Sequence, residues 1–278
     1  MIKPLDYFSA LVLQDDAIPL FEAALALAQD DDPLLDLAAV QAEVDALGAK
    51  LRQRLAPDAS AVARLRLLNQ FFYRELGFTG NVNHYYDPHN SYLQRVLATR
   101  RGIPISLAVL YMELAQHVDL DIKGVGFPGH FLMKLSVPSG DIIIDPLDGS
   151  SLSREELEER LTPFLTQHAD SAPIPLAVHL QTATPRAILA RMLHNLKAIF
   201  MAQELWPKVL EVQQRLVILL PDAVGERRDR GLAYAHLECP QAALDDLESY
   251  LARRPNADDA VVLRDMLPTL RDASRRLN

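Results

Sequence analysis

The chain has 278 residues, 49% of them hydrophobic, and its formal net charge is −9. This length and composition allow one large domain or two modest ones, and the negative charge argues against binding to nucleic acid or to anionic membranes. The single cysteine, Cys239, cannot form an internal disulfide. No run approaches the roughly 18 apolar residues that span a bilayer, and the first residues lack the pattern of a signal peptide. We therefore expect a cytoplasmic protein.

The first half of the chain has two kinds of hydrophobic pattern. Apolar residues at helical spacing over 5–76 predict three or four helices, and Gly77 is typical of a helix end. Three short β-type runs follow later, separated by turn residues, at 122–127, 130–135 and 142–145. They predict a small antiparallel sheet packed on the apolar helix that begins near Pro104.

The remainder of the chain is predicted to be helical. Residues 153–156 have capping-box spacing and begin another helix. The Pro- and Ala-rich stretch 172–184 is typical of a linker, and the residues after Pro185 have helical spacing. The predicted fold class is therefore α+β. A helix-plus-antiparallel-sheet domain with a helical N-terminal part covers 1–178, and an all-α domain covers 179–278.

The helical tail also contains a repeat signal. Pro221 and Pro255 are 34 residues apart, which is the period of the tetratricopeptide repeat. In that register the small, aromatic and apolar positions of one repeat fall on Gly231, Tyr234, Ala243 and Leu247. The preceding unit, about 187–221, fits less well, with Lys197 and Phe200 in place of the glycine and the tyrosine. A plain helical hairpin is the alternative.

Three segments contain the residues with the most catalytic potential. Residues 101–108 open a helix, His130 follows a Pro-Gly turn, and Asp145 ends a β-type run. This order resembles the nucleophile, His and Asp of a papain-like triad. It predicts that Pro104, His130 and Asp145 come together in space, with a hydrogen bond between His130 and Asp145. Pro104, which has no nucleophilic atom, occupies the position of the expected cysteine. Ser106 lies in the first turn of the same helix, where it bonds to local backbone or, if a base reaches it, acts as a nucleophile.

The loop 85–91 is dense in aromatic and hydrogen-bonding groups. Tyr85, Tyr86, Asp87 and Asn90 are candidate ligand-binding residues at a cleft. In the alternative, Asp87 and the proline after it form a turn, and Asn90 or the next serine caps the following helix.

We expect no metal and no cofactor. His84, His89 and His130 have neither the spacing of metal ligands nor cysteines or carboxylates arranged around them. Cys239 is followed by proline, a context that suits a turn better than a reactive thiol.

Five stretches carry a resemblance to a known family: LNQFFY at 68–73, GFTGN at 77–81, YYDPHNSYL at 85–93, RGIPISLA at 101–108 and FPGHF at 127–131. They resemble bacterial transglutaminase-like proteins with a C-terminal tetratricopeptide region, associated by name with the Sir-B invasion-gene regulator locus. The resemblance is strong over roughly 60–165. It implies a transglutaminase-like fold without the catalytic cysteine, that is, a pseudoenzyme.

The expected function follows from these two parts. A helical-repeat tail binds segments of other proteins, so we expect a non-catalytic scaffold or regulator with a protein partner bound through the tail. The alternative is a hydrolase or acyl-transferase that uses Ser106, His130 and Asp145. That enzyme requires the Ser106 hydroxyl within about 2.6–3.2 Å of a His130 nitrogen.

Overall fold

The computed structural model describes residues 3–81, 83–165 and 174–277. Their contacts divide the chain into two compact units. The smaller unit joins helix α1 (Pro4–Leu11) and the residues up to 14 with the residues from 193 onward. The larger unit covers 15–192 and contains the candidate site.

The larger unit is mostly helical. Its helices are α2 (Leu20–Ala26), α3 (Leu37–Arg52), α4 (Ala61–Asn69), α5 (Leu93–Thr99), α6 (Pro104–Gln116), α7 (Arg154–Leu165) and α8 (Leu176–His179). A π-helical segment, Gln70–Glu75, continues α4, and a 3₁₀ turn, Pro88–Ser91, precedes α5. Helix α9 (Pro185–Ala202) begins in the larger unit and ends in the smaller one.

The strands form two small sheets. Strands β1 (Thr79–Gly80) and β2 (Arg101–Gly102) pair in parallel. Strands β3 (Ile122–Val125), β4 (Leu132–Val137) and β5 (Gly140–Ile144) form an antiparallel sheet in the order β3-β4-β5. The predicted antiparallel sheet and the α+β class are thereby confirmed.

Helix α6 is the core of the larger unit. Nearly all of its residues are buried, including Pro104 and Ser106, because it packs on β3, β4, α3 and α5 from several sides. A helix that is apolar all round is typical of such a central position. Its N-terminus follows directly from β2, so the small parallel sheet fixes where α6 begins.

The observed units differ from the predicted domain boundary between 178 and 179. Residues 174–184, the described part of the expected linker, pack on the sheet of the larger unit: Thr182 pairs with Val125, and Ala183 N–H donates to Gly124 O at 2.8 Å. Residues 172 and 173 lie outside the described residues. Helix α1, placed by the sequence in the first domain, instead packs on a helix of the smaller unit. The hydrophobic pattern of α1 predicts a buried face but does not identify its neighbour.

The smaller unit is a series of helices. They are α10 (Trp206–Leu219), α11 (Val224–His236), α12 (Pro240–Arg253) and α13 (Ala260–Leu277). Each packs on the next one in sequence, as expected for stacked helical hairpins. No helix of the described residues in either unit is long and apolar enough to cross a membrane.

The contact between α11 and α12 is tight. A Cβ added at Gly231 would lie 2.9 Å from Leu247 Cγ and 3.2 Å from Asp246 Cβ, so a larger residue does not fit there. Ala243 is fully buried, at 0% exposure. The atoms that most closely approach Gly231 therefore belong to Leu247 and Asp246 rather than to Ala243, one helical turn earlier.

We predict that Ala243→Leu destabilises the smaller unit. Overpacking of a filled core typically costs about 1–3 kcal/mol, and the free energy of unfolding measured by urea denaturation should fall by that amount. Ala252→Leu is the matched control because Ala252 is exposed on the same helix, and it should change stability by less than about 0.5 kcal/mol. Equal effects of the two substitutions would contradict the prediction.

Candidate functional site

His130 and Asp145 form a hydrogen-bonded pair at one end of the antiparallel sheet. His130 lies just before β4 and Asp145 just after β5, and the two strands are paired in the register Met133↔Ile144. His130 Nε2 is 3.1 Å from Asp145 Oδ1. The side chains are 20% and 7% exposed, so the pair is largely shielded from solvent. This confirms the predicted contact between the two residues; the position of Pro104 relative to the pair stays a prediction.

Three donors converge on the Asp145 carboxylate. Oδ1 accepts from His130 and from Leu147 N–H at 3.0 Å, and Oδ2 accepts from Arg160 Nη1 at 2.8 Å. Burial alone raises the pKa of Asp145, but the hydrogen bonds from His130, Arg160 and Leu147 outweigh it and lower the pKa to about 2. The carboxylate is therefore ionised at neutral pH. It follows that His130 Nε2 carries the proton and donates to it.

Helix α7 supplies two further residues to this region. Arg160 forms the ion pair with Asp145. Phe164, one turn later, packs so closely on the turn before His130 that a Cβ added at Gly129 would lie 2.3 Å from its ring. Gly129 also has φ +67, which favours glycine. The Pro-Gly turn therefore meets both a conformational and a steric requirement.

A buried polar network holds the turn that follows Asp145. Tyr73 Oη donates to Pro146 O at 3.0 Å, and Asn69 Nδ2 donates to Gly149 O at 3.1 Å. Tyr111 Oη donates to Asn69 Oδ1 at 2.6 Å. Burial, followed by the nearby Tyr111 and Asp145, raises the pKa of Tyr73, so the phenol stays protonated and remains a donor.

Ser106 acts as a structural residue at the start of α6. Its Oγ accepts from Ile103 N–H at 3.1 Å and donates to Asn90 O at 2.6 Å, with Ile103 O at 3.0 Å. The hydroxyl has one proton, and the short bond to Asn90 uses it. Ser106 is 0% exposed, and Pro104 occupies the first helical position, which proline favours. These bonds agree with the structural interpretation of Ser106. Its catalytic role stays a hypothesis.

The predicted ligand-binding residues of loop 85–91 fall into two groups. Asp87 accepts from His89 N–H at 2.9 Å and caps the 3₁₀ turn. Asn90, 3% exposed, donates to the carbonyls of His84 at 2.6 Å and Tyr85 at 3.2 Å and so organises its own loop. Tyr85 and Tyr86 are 49% and 76% exposed, and a ligand-binding role for them stays a prediction.

The capping alternative for this loop is only partly correct. Helix α5 begins after Tyr92, with no side-chain cap, so neither Asn90 nor Ser91 caps it. Ser91 Oγ is instead buried without a hydrogen-bond partner in the structure.

Arg191, on α9, holds the backbone on the other side of His130. Its Nη1 donates to Phe127 O at 3.2 Å and its Nη2 donates to His130 O at 2.9 Å. The guanidinium also lies 5.6 Å from the centre of the Phe131 ring. Among residues 3–81, 83–165 and 174–277, no group of His, Cys, Asp and Glu is arranged to hold a metal ion.

Sequence reasoning missed Arg160, Arg191 and Tyr73. The only sequence signal at each arginine is its position on a predicted helix next to buried apolar residues. Arg160 has Leu157 and Leu161 close by in sequence, and Arg191 precedes Met192. These positions indicate a helix edge near the core, but not the carboxylate or carbonyl that each guanidinium contacts.

We predict that Asp145→Asn alters how stability depends on pH. The pKa of Asp145 in the folded protein, about 2, lies below its ordinary value of 3.8, so ionised Asp145 stabilises the fold at neutral pH and loses this contribution as the pH falls toward 2. The shift corresponds to about 2 kcal/mol. Urea unfolding between about pH 5 and pH 2 should show wild type losing about that much more stability than the variant. Asp16→Asn changes an exposed site of the same unit, and its stability should depend on pH as that of wild type does. If the stability of Asp145→Asn falls in parallel with that of wild type, the prediction is refuted.

Comparisons with known proteins agree with this fold. Residues 38–194 match the pattern of the transglutaminase-like superfamily, and residues 196–268 match the tetratricopeptide repeat. A UPF0162 protein of Xylella fastidiosa is 36% identical over 93% of this chain and 92% of its own length. A UPF0162 protein of Pseudomonas aeruginosa is 34% identical over 84% and 83%. Protein SirB1 of Salmonella typhimurium is 27% identical over 82% and 84%. No solved structure gives a significant match. The chain belongs to the UPF0162 family of transglutaminase-like proteins with a tetratricopeptide region.

Proposed function

We propose that this protein is a non-catalytic, cytoplasmic transglutaminase-like protein that acts as a scaffold or regulator and binds a protein partner through its helical tail. One observation carries the first half of the proposal: the start of α6 offers no free nucleophile. Pro104 occupies the cysteine position, and the Ser106 hydroxyl is buried and bonded to Asn90 O at 2.6 Å. Its remaining contacts are with Ile103.

The His130–Asp145 pair supports the alternative enzyme only in part. A general base requires the imidazole to reach a nucleophile that has a proton to give. The pair is present at 3.1 Å, but the Ser106 proton already lies in a short bond to a backbone carbonyl. If the Ser106 hydroxyl turned away to react, Asn90 O would lose this donor. The N–H of Ile103 would also lose its acceptor at the start of α6.

The tail supports the binding half of the proposal. Stacked helical hairpins present a continuous surface that recognises segments of other chains. Ion pairs join helices that are two apart along the tail: Lys197 of α9 pairs with Glu226 of α11 at 2.9 Å, and Arg228 of α11 pairs with Asp259, the residue before α13, at 2.8 Å. Such links hold the helices in register, so that their shared surface is preorganised for a partner.

We predict that the purified protein is not labelled by a serine-directed fluorophosphonate and shows no amidase or transamidase turnover. Ser106→Ala should match wild type in both assays, because the hydroxyl serves the helix start. Intact-protein mass spectrometry after incubation gives the readout, with a known serine hydrolase as the positive control. Labelling at Ser106 that disappears in His130→Ala would favour the hydrolase instead.

We also predict that partner capture depends on the tail. The tagged full-length chain and its Ala252→Leu variant should capture the same partner protein from bacterial lysate. The Ala243→Leu variant should not capture this partner, because the contact between its helices is overpacked. The imidazole NMR signals of His130 report whether the larger unit stays intact in each variant. Equal capture by all three proteins, with the larger unit intact, would locate the partner surface outside the tail and contradict the proposal.

A further inference from the structure

A cavity of about 730 Å³ lies against the C-terminal half of α6. This volume is within the range of small-molecule binding sites. The cavity is enclosed by the start of α2, by α3, α6 and β3, and by the start of α9, all of them within the larger unit. None of its described lining residues belongs to the candidate site at His130 and Asp145. It is therefore a separate feature of the same unit.

One stripe of α6 forms a wall of the cavity. Val109, Met112, Glu113 and Gln116 have the spacing i, i+3, i+4 and i+7, which places them on one face of the helix. Val109 and Met112 are 2% and 7% exposed, Glu113 is half-buried and Gln116 is exposed. The wall thus changes from apolar and deep to polar and open over about 10 Å. Further buried apolar residues line the cavity: Ile18, Phe21, Leu120, Ile122 and Ile188.

Glu113 is an acid that two neutral amides hold in this wall. Its Oε1 accepts from Gln41 Nε2 at 3.2 Å and its Oε2 accepts from Gln116 Nε2 at 3.3 Å. No Lys, Arg or His in the described part of the chain lies within ion-pair distance of it. Burial raises the pKa of Glu113, and the hydrogen bond from Gln41 offsets this only in part. A half-buried carboxylate without a cation is costly, and a cationic ligand would remove that cost.

The other charges of the cavity do not favour an anion. Four of its described lining residues are acids and one, Lys123, is a base. Lys123 pairs with Asp121 at 2.6 Å, and Asp119 pairs with Arg64 at 2.9 Å, so these charges are balanced locally. The C-terminal end of α6, which carries the negative end of the helix dipole, lies at the polar end of the cavity. The cavity therefore suits a cation with an apolar part.

The lining favours an organic cation over a metal ion. No group of His, Cys, Asp and Glu among residues 3–81, 83–165 and 174–277 is arranged to hold a metal. An ammonium group has three donors. It can bond to the Glu113 carboxylate and to the side-chain oxygens of Gln41 and Gln116, whose amide groups lie beside that carboxylate. A hydrocarbon chain on the same ligand would contact the deep apolar wall.

We propose that this cavity binds a small aliphatic amine as its ammonium ion, with the charge on Glu113 and the hydrocarbon chain against Val109 and Met112. One carboxylate without a cationic partner matches a single positive charge. The buried apolar wall distinguishes such a ligand from a simple inorganic cation. The site depends neither on chemistry at His130 nor on partner binding by the tail.

Titration of the full-length protein with hexylammonium tests the proposal. Binding is followed by calorimetry and by NMR of ¹³C-methyl methionines. Met112 lines the cavity, and Met266 of the smaller unit is the internal control. We expect saturable binding that shifts the Met112 signal and not that of Met266. Hexanol, which lacks the charge, should bind about tenfold more weakly, and butylammonium about tenfold more weakly because it buries two fewer methylenes. Hexanoate should not bind.

Two variants separate the role of the charge from that of the cavity. Glu113→Gln keeps the shape of the side chain and should lose about tenfold or more in affinity for hexylammonium, with hexanol affinity unchanged. Ala183→Phe fills part of the cavity and should weaken both ligands, while its backbone bond to Gly124 O can remain. Glu159→Gln, at an exposed glutamate of α7 outside the lining, should bind as wild type does. If Glu113→Gln fails to fold, Ala183→Phe and the ligand series decide the question.

Several results would overturn the proposal. They are hexylammonium binding no tighter than hexanol, hexanoate binding as tight as that of hexylammonium, and unchanged affinity in a folded Glu113→Gln. Saturable binding without a shift of the Met112 signal would place the amine elsewhere and would also overturn it. Tighter binding of N-acetyl-lysine amide than of hexylammonium would assign the cavity to a lysine side chain of another protein instead of to a small amine.

Discussion

The ionised carboxylate of Asp145 is the interaction on which the candidate site depends. It is nearly buried, and it accepts from the imidazole of His130, from the guanidinium of Arg160 and from the N–H of Leu147. These donors come from the segment before β4, from α7 and from the turn after β5. A single buried charge thus joins three parts of the chain that are separate in sequence. An uncompensated charge here would be costly, and all three donors contribute to keeping the carboxylate ionised.

The same logic explains why an apparent catalytic arrangement can be structural. An imidazole oriented by a carboxylate is half of a catalytic triad, but it also satisfies a buried acid. At the start of α6, Pro104 removes an N–H that would have no partner, and Ser106 satisfies the N–H of Ile103 and the carbonyl of Asn90. The Ser106 hydroxyl therefore has a structural role at this helix start.

The sequence predicted the parts of this structure that depend on local pattern. Alternating and helical spacing gave the sheet and the apolar helix, and the order of helix start, His130 and Asp145 predicted the pair. The sequence could not predict Arg160, because a helical pattern does not identify the carboxylate that a surface arginine meets. Tyr73 lies in a π-helical segment, whose extra residue per turn changes which side chains face the core. Helix α1 pairs with the tail from the opposite end of the chain, a contact that no local pattern encodes.

The two arginines beside the pair show why the charge of the whole chain is a poor guide to its ligands. The net charge of −9 argues against long polyanions, whose binding depends on many cationic contacts. A small ligand responds to the charges within a few ångströms, since solvent and salt screen the more distant ones. There, Asp145 and Arg160 cancel each other, and Arg191 remains as a half-buried positive group. The local sign beside the pair is therefore opposite to that of the whole chain.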